Sequence, residues 1–461
     1  MGALIVFGAM NMTPSPAFYS DQVSLEAYLL AFFYIFAVVG IVLAIVAIIC
    51  IDAGLVRRKH MLTTIVQKIT GCFVGGIAFM IIGYGIWNWQ YYEAFGVERP
   101  LMAAIQDWWI MGGVFESASH RIDPAAVPHT DLFQVFAIFF FLFGSIGAVL
   151  VHGAGLERIK SSATYITSIA MGGVAIPIMA YLTYGSLSPL TNNGLHDFVG
   201  AYSLYLIVGT WSPILAWRLG KRRDGVVAPG NPALLSVGAM LLIVAIPMFV
   251  IGCGFMVPGQ GYFGPTMTET GLGLIFENIF MALTGGGIVG AIFAHRTGKL
   301  GYILLGPIVG YISCSALFDI ATPIEALAIS TLGPVLLVAG EKLLIAIGID
   351  EPKVTPLTLL PAAYSGIAAG VIGAGTPQGG YFGFTEGPYL FQGAQISISM
   401  QLLGIVVVVG ITAVIALVTT FVTERTTGLR VSEEAEWEGM DRTEWKPMPE
   451  DPEQLGVQIA K

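Results

Sequence analysis

The chain is a long series of apolar runs, each about as long as a membrane bilayer is thick. A helix needs about 20 consecutive, mainly apolar residues to cross the hydrocarbon core of a membrane. Only 11% of the 461 residues are charged and 55% are hydrophobic, which leaves too little polar surface for a soluble globular protein. The sequence therefore predicts an all-α, polytopic membrane protein. Its eleven predicted spans begin near Leu25, Thr64, Leu132, Ala163, Phe198, Ala233, Leu272, Leu300, Ile324, Leu357 and Ser397.

Most of the 21 Lys and Arg residues lie in loops that would share one face of the membrane. Cytoplasmic loops of membrane proteins are enriched in these residues, whereas only Arg99 and Arg121 lie clearly in loops of the other face. We therefore expect a protein of the cell membrane with its amino terminus outside and its carboxyl terminus in the cytoplasm. The basic residues that follow odd spans or precede even ones are Arg57, Arg58, Lys59, Arg158, Lys160, Arg218, Lys221, Arg222, Arg223, Arg296, Lys299, Lys353, Arg425 and Arg430.

Three segments are expected along the chain: an extracellular segment at 1–24, a membrane domain at 25–423 and a cytoplasmic acidic tail at 424–461. The tail supplies −5 of the net charge of −9, because it contains ten acidic and five basic residues. Residues Met1 to Met12 are apolar but lack basic residues, so cleavage of a signal peptide is left open. The 4 cysteines are isolated from one another, which favours neither a metal site nor a redox role.

The order of the predicted spans has an internal symmetry. Spans one to five begin outside and finish inside, so spans six to ten repeat the same count in the opposite orientation, and an eleventh helix follows. Inverted repeats of this kind are common in transporters with a central site. A local echo lies in Pro258–Gly264 and Pro377–Gly383. Their dipeptides Tyr262-Phe263 and Tyr381-Phe382 would either rim an external vestibule or anchor the chain at the membrane interface.

Ionisable side chains inside the spans are candidates for function, because an unpaired charge in the membrane costs roughly 3 kcal/mol or more. Asp197 opens the fifth span, where a carboxylate can accept hydrogen bonds from the free N–H groups of a helix. Glu277 lies five residues into the seventh span, and a buried carboxylate there should be neutral or paired. The full set is Lys68, Asp197, Glu277, Asp319, Glu325 and Glu341.

Four dispersed segments resemble the ammonium transporter family, which includes the methylammonium permeases and the Rhesus proteins. They are Gly54–Thr64, Gly155–Ser162, His196–Gly200 and Gly428–Asp441. The resemblance covers the whole membrane domain in order. It implies a homotrimer with one pore in each protomer. It also implies two five-helix halves related by pseudo-twofold symmetry, with the eleventh helix lying across them.

The resemblance also assigns residues to a pathway for the substrate. Asp197 matches the family's conserved aspartate, which supports an outer recruitment site through backbone contacts. Phe143 and Phe255 match two stacked phenylalanines that close the outer end of the pore. Tyr184 replaces the tryptophan that usually faces the cation, so a smaller ring would supply the cation–π contact. Gly259 falls where the family carries a serine.

The family's two pore histidines, which are held to deprotonate ammonium and relay its proton, have no match. Counting eight residues from Asp197 reaches Tyr205, and the partner position in span ten falls at Leu359 or Ala362, depending on the landmark. Imidazole, with a pKa near 6.5, exchanges protons at neutral pH, whereas a phenol with a pKa near 10 does so poorly. If ammonium itself enters, Glu277 and Asp319 are the candidates to carry its proton. The six histidines all lie in loops or at span ends, at His60, His120, His129, His152, His196 and His295.

Three functions remain open from the sequence. The first is transport of ammonium, ammonia or a related small amine by a mechanism altered through loss of the histidine pair. The second is a non-conducting receptor or regulatory protein built on the same scaffold, and the third is a channel for another small neutral solute. No nucleophile–base pair, metal cluster or phosphate-binding loop favours an enzyme, and neither a cofactor nor a nucleic-acid partner is indicated.

The tail resembles that of the family, which packs under the trimer and helps PII-type signalling proteins to dock on the cytoplasmic face. Leu429–Glu434 and Glu438–Asp441 match, but Trp445-Lys446 replaces the family's usual His-Gly. We therefore expect the tail to dock on the cytoplasmic loops, whereas binding of a PII-type protein is left open.

Overall fold

The computed structural model describes residues 25–108, 130–223, 225, 229–257 and 259–445. Within these residues nine helices are long and apolar enough to cross a membrane. The predicted spans near Phe198 and Leu300 correspond to two further helices, α6 and α9. In chain order the helices are α1 (Leu25–Leu55), α2 (61–94), α3 (Pro100–Trp108), α4 (Thr130–His152), α5 (Ser161–Thr183), α6 (201–219), α7 (Pro232–Val250), α8 (Leu272–Thr297), α9 (Gly301–Ile312), α10 (Pro323–Ala346), α11 (Val354–Ile372), α12 (Ile398–Thr426), α13 (Glu433–Glu438) and α14 (Met440–Glu444).

The protein is mainly helical, as predicted, and the loops at one end of the bundle also contain short strands. β1 (Phe255–Val257), β2 (Gly261–Phe263) and β3 (Glu269–Thr270) form an antiparallel sheet in the order β1-β2-β3. β4 (Pro377–Gln378) and β5 (Ala394–Gln395) form a second antiparallel pair. These strands lie between membrane helices, where extended loops pair their own backbone groups.

Glycines let several helices approach one another closely. A Cβ atom added to Gly172 in α5 would lie 2.0 Å from the carbonyl oxygen of Gly75 in α2, and one added to Gly286 in α8 would lie 2.7 Å from Cα of Gly310 in α9. Side chains at these positions would push the helices apart. Small residues serve this purpose in membranes because helix association there depends on packing rather than on a hydrophobic driving force.

The loops rich in Lys and Arg gather at one end of the bundle, which we call the basic-loop face. Arg57 pairs with Glu157 at 2.7 Å, and both Arg158 and Arg222 pair with Asp350, at 2.8 and 2.6 Å. These contacts join the loops after α1, α4, α6 and α10. The prediction that the basic loops share one face is therefore confirmed for these four loops.

Candidate functional site

Two tyrosines meet in the core of the bundle. Tyr205 belongs to the π-helical start of α6 (Ala201–Leu206), and Tyr311 lies next to the last residue of α9. The Tyr205 hydroxyl donates a hydrogen bond to the Tyr311 hydroxyl over 3.0 Å, and both side chains are buried. Their rings meet edge to face, with centroids 6.1 Å apart. The sequence places Tyr205 on the pathway but misses Tyr311, because no local motif marks a partner 106 positions away.

A cavity of about 60 Å³ begins at this tyrosine pair, and we call it the inner cavity. Its walls are mainly aliphatic, with Ile246 and Ile308 among them, and Lys353 lines it at the basic-loop face. One water needs a cavity of only about 10–15 Å³. The inner cavity therefore has room for a small molecule between the tyrosines and the basic-loop face.

Lys353 belongs to a buried group of three charges. The carboxylate of Asp52 lies between Lys68 and Lys353: Lys68 Nζ is 2.6 Å from Oδ2, and Lys353 Nζ contacts Oδ1. Lys68 Nζ also donates a hydrogen bond to the carbonyl of Val149 over 2.6 Å. With every member ionised, the group carries one net positive charge. Lys68 is marked by the sequence as an intramembrane charge, whereas its partner Asp52 is not.

Asp197 supports the start of α6. Its carboxylate accepts hydrogen bonds from the backbone N–H groups of Ala201, Tyr202 and Ser203 over 2.7, 3.0 and 3.2 Å. The residue directly before the helix is Gly200, whose φ of 83° is left-handed. The predicted pairing of Asp197 with free helix N–H groups is therefore confirmed, although Gly200 rather than Asp197 occupies the N-cap position.

The two phenylalanines assigned to the pathway have separate partners. The Phe143 ring stacks on Tyr184 with centroids 5.9 Å apart, and the Phe255 ring stacks on Phe136 with centroids 5.7 Å apart. No ring pair among the described residues joins Phe143 to Phe255. These pairings depend on which face of each helix points inward. The sequence match alone does not determine that face.

Neither Gly259 nor Leu359 lines the inner cavity. Gly259 is exposed in the turn between β1 and β2, with a φ of 71° and no atom within 4 Å of an added Cβ. Leu359 packs against Gly209 of α6, where an added Cβ would lie 2.7 Å from Cα of Leu359. Its neighbour Thr358 lines the inner cavity instead.

The structure separates the two carboxylates considered as proton carriers. Glu277 is exposed on the surface of α8. Asp319 is buried, lies 2.9 Å from Nε2 of His196 and accepts a hydrogen bond from Thr268. Nδ1 of His196 lies 2.8 Å from Oε1 of Gln378. Asp319 thus belongs to a hydrogen-bonded network that ties loops together, and neither carboxylate lines the inner cavity.

The histidines of the described residues line neither the inner cavity nor the larger cavity at the other end of the bundle. His60 and His152 are buried near the basic-loop face, and His295 is exposed at the end of α8. His120 and His129 lie outside the described residues. The described part of the chain also holds no group of three or more His, Cys, Asp or Glu residues that could bind a metal ion.

A cavity of about 320 Å³ lies at the end of the bundle opposite the basic-loop face, and we call it the outer cavity. Its lining is dominated by aromatic side chains from α1, α2, α3, α4 and the outer loops. Of the two Tyr-Phe dipeptides in the sequence echo, Tyr381-Phe382 lines it. The outer cavity includes Phe255 but neither Phe143 nor Tyr184.

The tail packs on the basic-loop face as far as the described residues extend. Arg430 forms an antiparallel bridge with Ile159 and an ion pair of 2.8 Å with Glu436. The carboxylate of Asp441 accepts hydrogen bonds from the first-turn N–H groups of α2, at Leu62 (3.0 Å) and Thr63 (2.7 Å). The expected docking of the tail on these loops is therefore confirmed up to Trp445, and residues beyond it lie outside the described part.

Two carboxylates in these loops have lowered pKa values. Burial alone would raise the pKa of Glu157, but hydrogen bonds and the positive charge of Arg57 lower it below its usual 4.5. Burial also opposes ionisation of Asp350, whose pKa the charges of Arg222 and Arg158 lower below its usual 3.8. Both groups are therefore held ionised at neutral pH, as expected for carboxylates hydrogen-bonded to arginine.

Comparisons with known proteins indicate the same family along almost the whole chain. A model of the Ammonium Transporter Family matches residues 31–449. Ammonium transporter Amt1 of Methanocaldococcus jannaschii is 26% identical over 428 residues, which cover 89% of this chain and 94% of that protein.

Solved structures agree in fold. The structure of a sensor Amt protein has a TM-score of 0.70 at 18% identity and covers 91% of this chain and 99% of its own. Rh50 of Nitrosomonas europaea has a TM-score of 0.63 at 16% identity, with 94% of this chain and 96% of its own covered. The resemblance inferred from four sequence segments is confirmed, and the chain belongs to the Ammonium Transporter Family.

Proposed function

We propose that the protein moves ammonium or a related small amine through a pore in each protomer of a homotrimer. Ammonium would give its proton to water on the outer side, and neutral ammonia would pass along the inner half of the path. The observation that carries this proposal is the inner cavity, which leads from the Tyr205–Tyr311 pair to Lys353 in the scaffold of an ammonium transporter family. The path would run from Tyr184 and Phe143 to the tyrosine pair and then along this cavity.

The tyrosine pair favours passage of a neutral molecule. A phenol has an ordinary pKa near 10 and does not take up a proton at neutral pH. The hydroxyls of Tyr205 and Tyr311 can therefore exchange hydrogen bonds with ammonia but cannot relay a proton as two imidazoles would. The aliphatic walls beyond them would not compensate a cation for its lost hydration.

The three-charge group of Asp52, Lys68 and Lys353 also favours passage of a neutral molecule. Its net positive charge lies at the basic-loop end of the inner cavity. A cation leaving by this route would approach Lys353 in a setting of low dielectric constant, where like charges repel strongly. Ammonia carries no charge and meets no such barrier.

The finer topology is part of this proposal. Helices α1, α2, α4 to α6 and α7 to α11 would form two inverted five-helix halves, with α12 as the eleventh helix across them. The amino terminus would face outside and the basic-loop face the cytoplasm, which follows from the positive-inside rule. The division at 1–24, 25–423 and 424–461 stays a prediction. A PII-type protein would bind at the basic-loop face, beside the docked tail.

A second candidate function is a membrane receptor or regulatory protein that does not conduct. The observation that favours it is the direct hydrogen bond between Tyr205 and Tyr311, both of which line the inner cavity. Such a contact would block the path at this point. When a ligand binds on the outer side, the docked tail would then signal this binding to a cytoplasmic partner. A relative in fold is itself described as a sensor.

One experiment separates these functions: ammonium pulses applied to purified protein in liposomes, with internal pH and membrane current recorded in parallel. Neutral passage raises internal pH faster than in empty liposomes, without a saturable current. A saturable ammonium current would overturn neutral passage. A protein that gives neither signal, in liposomes where a family member with both histidines conducts, would support the receptor over the transporter.

A matched pair of variants tests the route. Ile308 lines the inner cavity on α9, whereas Ile303 on the same helix is 39% exposed. Ile308→Phe should fill part of the cavity and slow the pH change, and Ile303→Phe should leave it unchanged. Equal rates in both variants would exclude the inner cavity as the path.

A further inference from the structure

The outer cavity is much larger than ammonium requires. Its volume is about 320 Å³, whereas a molecule the size of water or ammonium needs about 10–15 Å³ of such space. Its walls come from Tyr34, Tyr84, Trp87, Trp108, Phe136 and Tyr381, among others. A cavity of this size and lining fits a ligand with several carbon atoms.

The aromatic rings form a braced cage. Tyr34 meets Phe136 edge to face with centroids 4.7 Å apart, and Tyr84 meets Trp108 in the same way at 4.9 Å. Tyr84 also stacks on Trp87 at 5.8 Å. These rings line the cavity from several sides, and the face of an aromatic ring carries the negative end of its quadrupole.

The polar atoms of three cage residues are already used by the protein. The Tyr34 hydroxyl donates to the carbonyl of Gly254 over 2.9 Å, and Nε1 of Trp87 donates to the carbonyl of Tyr184 over 3.1 Å. The Tyr92 hydroxyl, also in the lining, donates to the carboxylate of Asp107 over 2.5 Å. These side chains therefore offer a ligand their ring surfaces rather than hydrogen-bond donors.

The charge around the cage favours a cation. No Lys, Arg, Asp or Glu is found among the described residues that line the outer cavity. Asp107 lies behind Tyr92 and places a carboxylate in the next layer. A positive ligand would therefore contact the aromatic rings directly, and the negative charge of Asp107 would lie in the layer behind them.

We propose that the outer cavity is a binding site for a methylated ammonium cation, that is, for a trimethylammonium or tetramethylammonium group. Aromatic cages bind such groups because the positive charge lies over ring faces while the methyl groups make apolar contact. Ammonium itself would lose the hydrogen bonds that its four N–H groups donate to water, and aromatic ring faces replace few of them. The cost of removing water would therefore weaken the binding of ammonium, whereas apolar contacts of the methyl groups would strengthen the binding of methylated cations.

Binding at this site and passage of ammonia are separate properties. The outer cavity contains neither Phe143 nor Tyr184, although Trp87 contacts the backbone of Tyr184. A protein that fails to conduct could still bind the cation, so binding can be measured directly whatever the outcome of the transport experiment.

The test is calorimetric titration of the purified full chain in phosphatidylglycerol bilayer discs with tetramethylammonium, choline and 3,3-dimethyl-1-butanol, a neutral isostere of choline. The two cations should bind saturably, and the isostere should bind at least about ten-fold more weakly. Ammonium at equal concentration should not compete. Absence of saturable binding, or equal affinity for choline and its isostere, would overturn the proposal.

Variants locate the site. Trp87→Leu should weaken tetramethylammonium binding about ten-fold, whereas Trp89→Leu, two residues along the same helix, should not, because Trp89 stacks on Tyr181 outside the lining. Tyr381→Leu replaces a second residue that lines the cavity and should also weaken binding. Tyr381 lies in a loop and is only partly buried, so this change should disturb folding less than Trp87→Leu does. Equal weakening by Trp87→Leu and Trp89→Leu would place the ligand elsewhere.

A trimethylammonium group could reach the cavity as a free cation or as a phosphatidylcholine headgroup. We assign the site to the free cation because Tyr34, Tyr84, Trp87 and Trp108 in its lining are buried. Repeating the titration in phosphatidylcholine discs distinguishes the two sources. Unchanged affinity supports the free cation. A marked loss of apparent affinity would reject that assignment and identify the lipid headgroup as the occupant.

Discussion

The ammonium group of Lys68 lies 2.6 Å from the carboxylate of Asp52, and both side chains are fully buried. Because Lys353 contacts the same carboxylate from the start of α11, one acid holds two bases from helices far apart in the chain. A buried charge is tolerated only when it is paired. This group therefore joins α1, α2 and α11 where the inner cavity ends.

Replacement of Asp52 by Asn should destabilise the protein strongly. It leaves two buried ammonium groups without a counter-charge, and removal of one partner from a buried ion pair costs about 3–5 kcal/mol. Thermal unfolding of the purified protein in detergent would measure the loss. Lys68→Met should cost less, since Asp52 keeps Lys353. Glu386→Gln, at an exposed loop position, is the control, and a midpoint for Asp52→Asn equal to that of the control would contradict the pairing.

The two hydroxyls of the tyrosine pair should be energetically coupled. Tyr205→Phe and Tyr311→Phe each leave a buried hydroxyl without its partner, which costs about 1–3 kcal/mol. The double variant removes both hydroxyls and should be destabilised by less than the sum of the single changes. Unfolding free energies of the four proteins in a double-mutant cycle give the coupling. Strict additivity would show that the 3.0 Å contact contributes nothing.

The membrane helices were predictable because a chain in lipid must satisfy its backbone hydrogen bonds locally, so each apolar run becomes a helix. The basic loops were predictable for a similar reason, since the charge of each loop can be read without knowledge of its neighbours. The placement of Asp197 against helix N–H groups also followed from local sequence. All three are properties of short segments.

The partners across the bundle were not predictable. Tyr311 and Asp52 have no local signal, because their roles depend on which face of each helix points inward. Phe143 and Phe255 illustrate the same limit: their positions match the family, yet their ring partners are Tyr184 and Phe136. The exposure of Glu277 on α8 has this cause as well. Rotation of a helix by half a turn leaves the apolar run unchanged and reverses what each side chain contacts.

Acid should weaken the loop network at the basic-loop face. The pKa values of Glu157 and Asp350 are lowered in the folded protein by neighbouring arginines. Their stabilising contribution is therefore present above the usual carboxyl pKa near 4 and is lost as the pH falls through the lowered values. Thermal midpoints measured from pH 7 downwards should fall at acid pH. Glu157→Gln should flatten that dependence, and an unaltered slope in this variant would remove Glu157 from the network.

The tail should depend on Asp441 for its position under α2. This carboxylate accepts hydrogen bonds from the N–H groups of Leu62 and Thr63, which α2 itself leaves unsatisfied in its first turn. Loss of a side-chain cap costs about 1 kcal/mol. Asp441→Ala should therefore raise amide hydrogen exchange across 433–444 about five-fold, because the docked state opens more often. Glu434→Ala, an exposed position in the same segment, tests whether loss of any tail carboxylate has this effect. If both variants exchange at the same rate, the cap does not hold the tail. If only Asp441→Ala opens it, a single carboxylate links the carboxyl-terminal segment to the helix that begins at the basic-loop face.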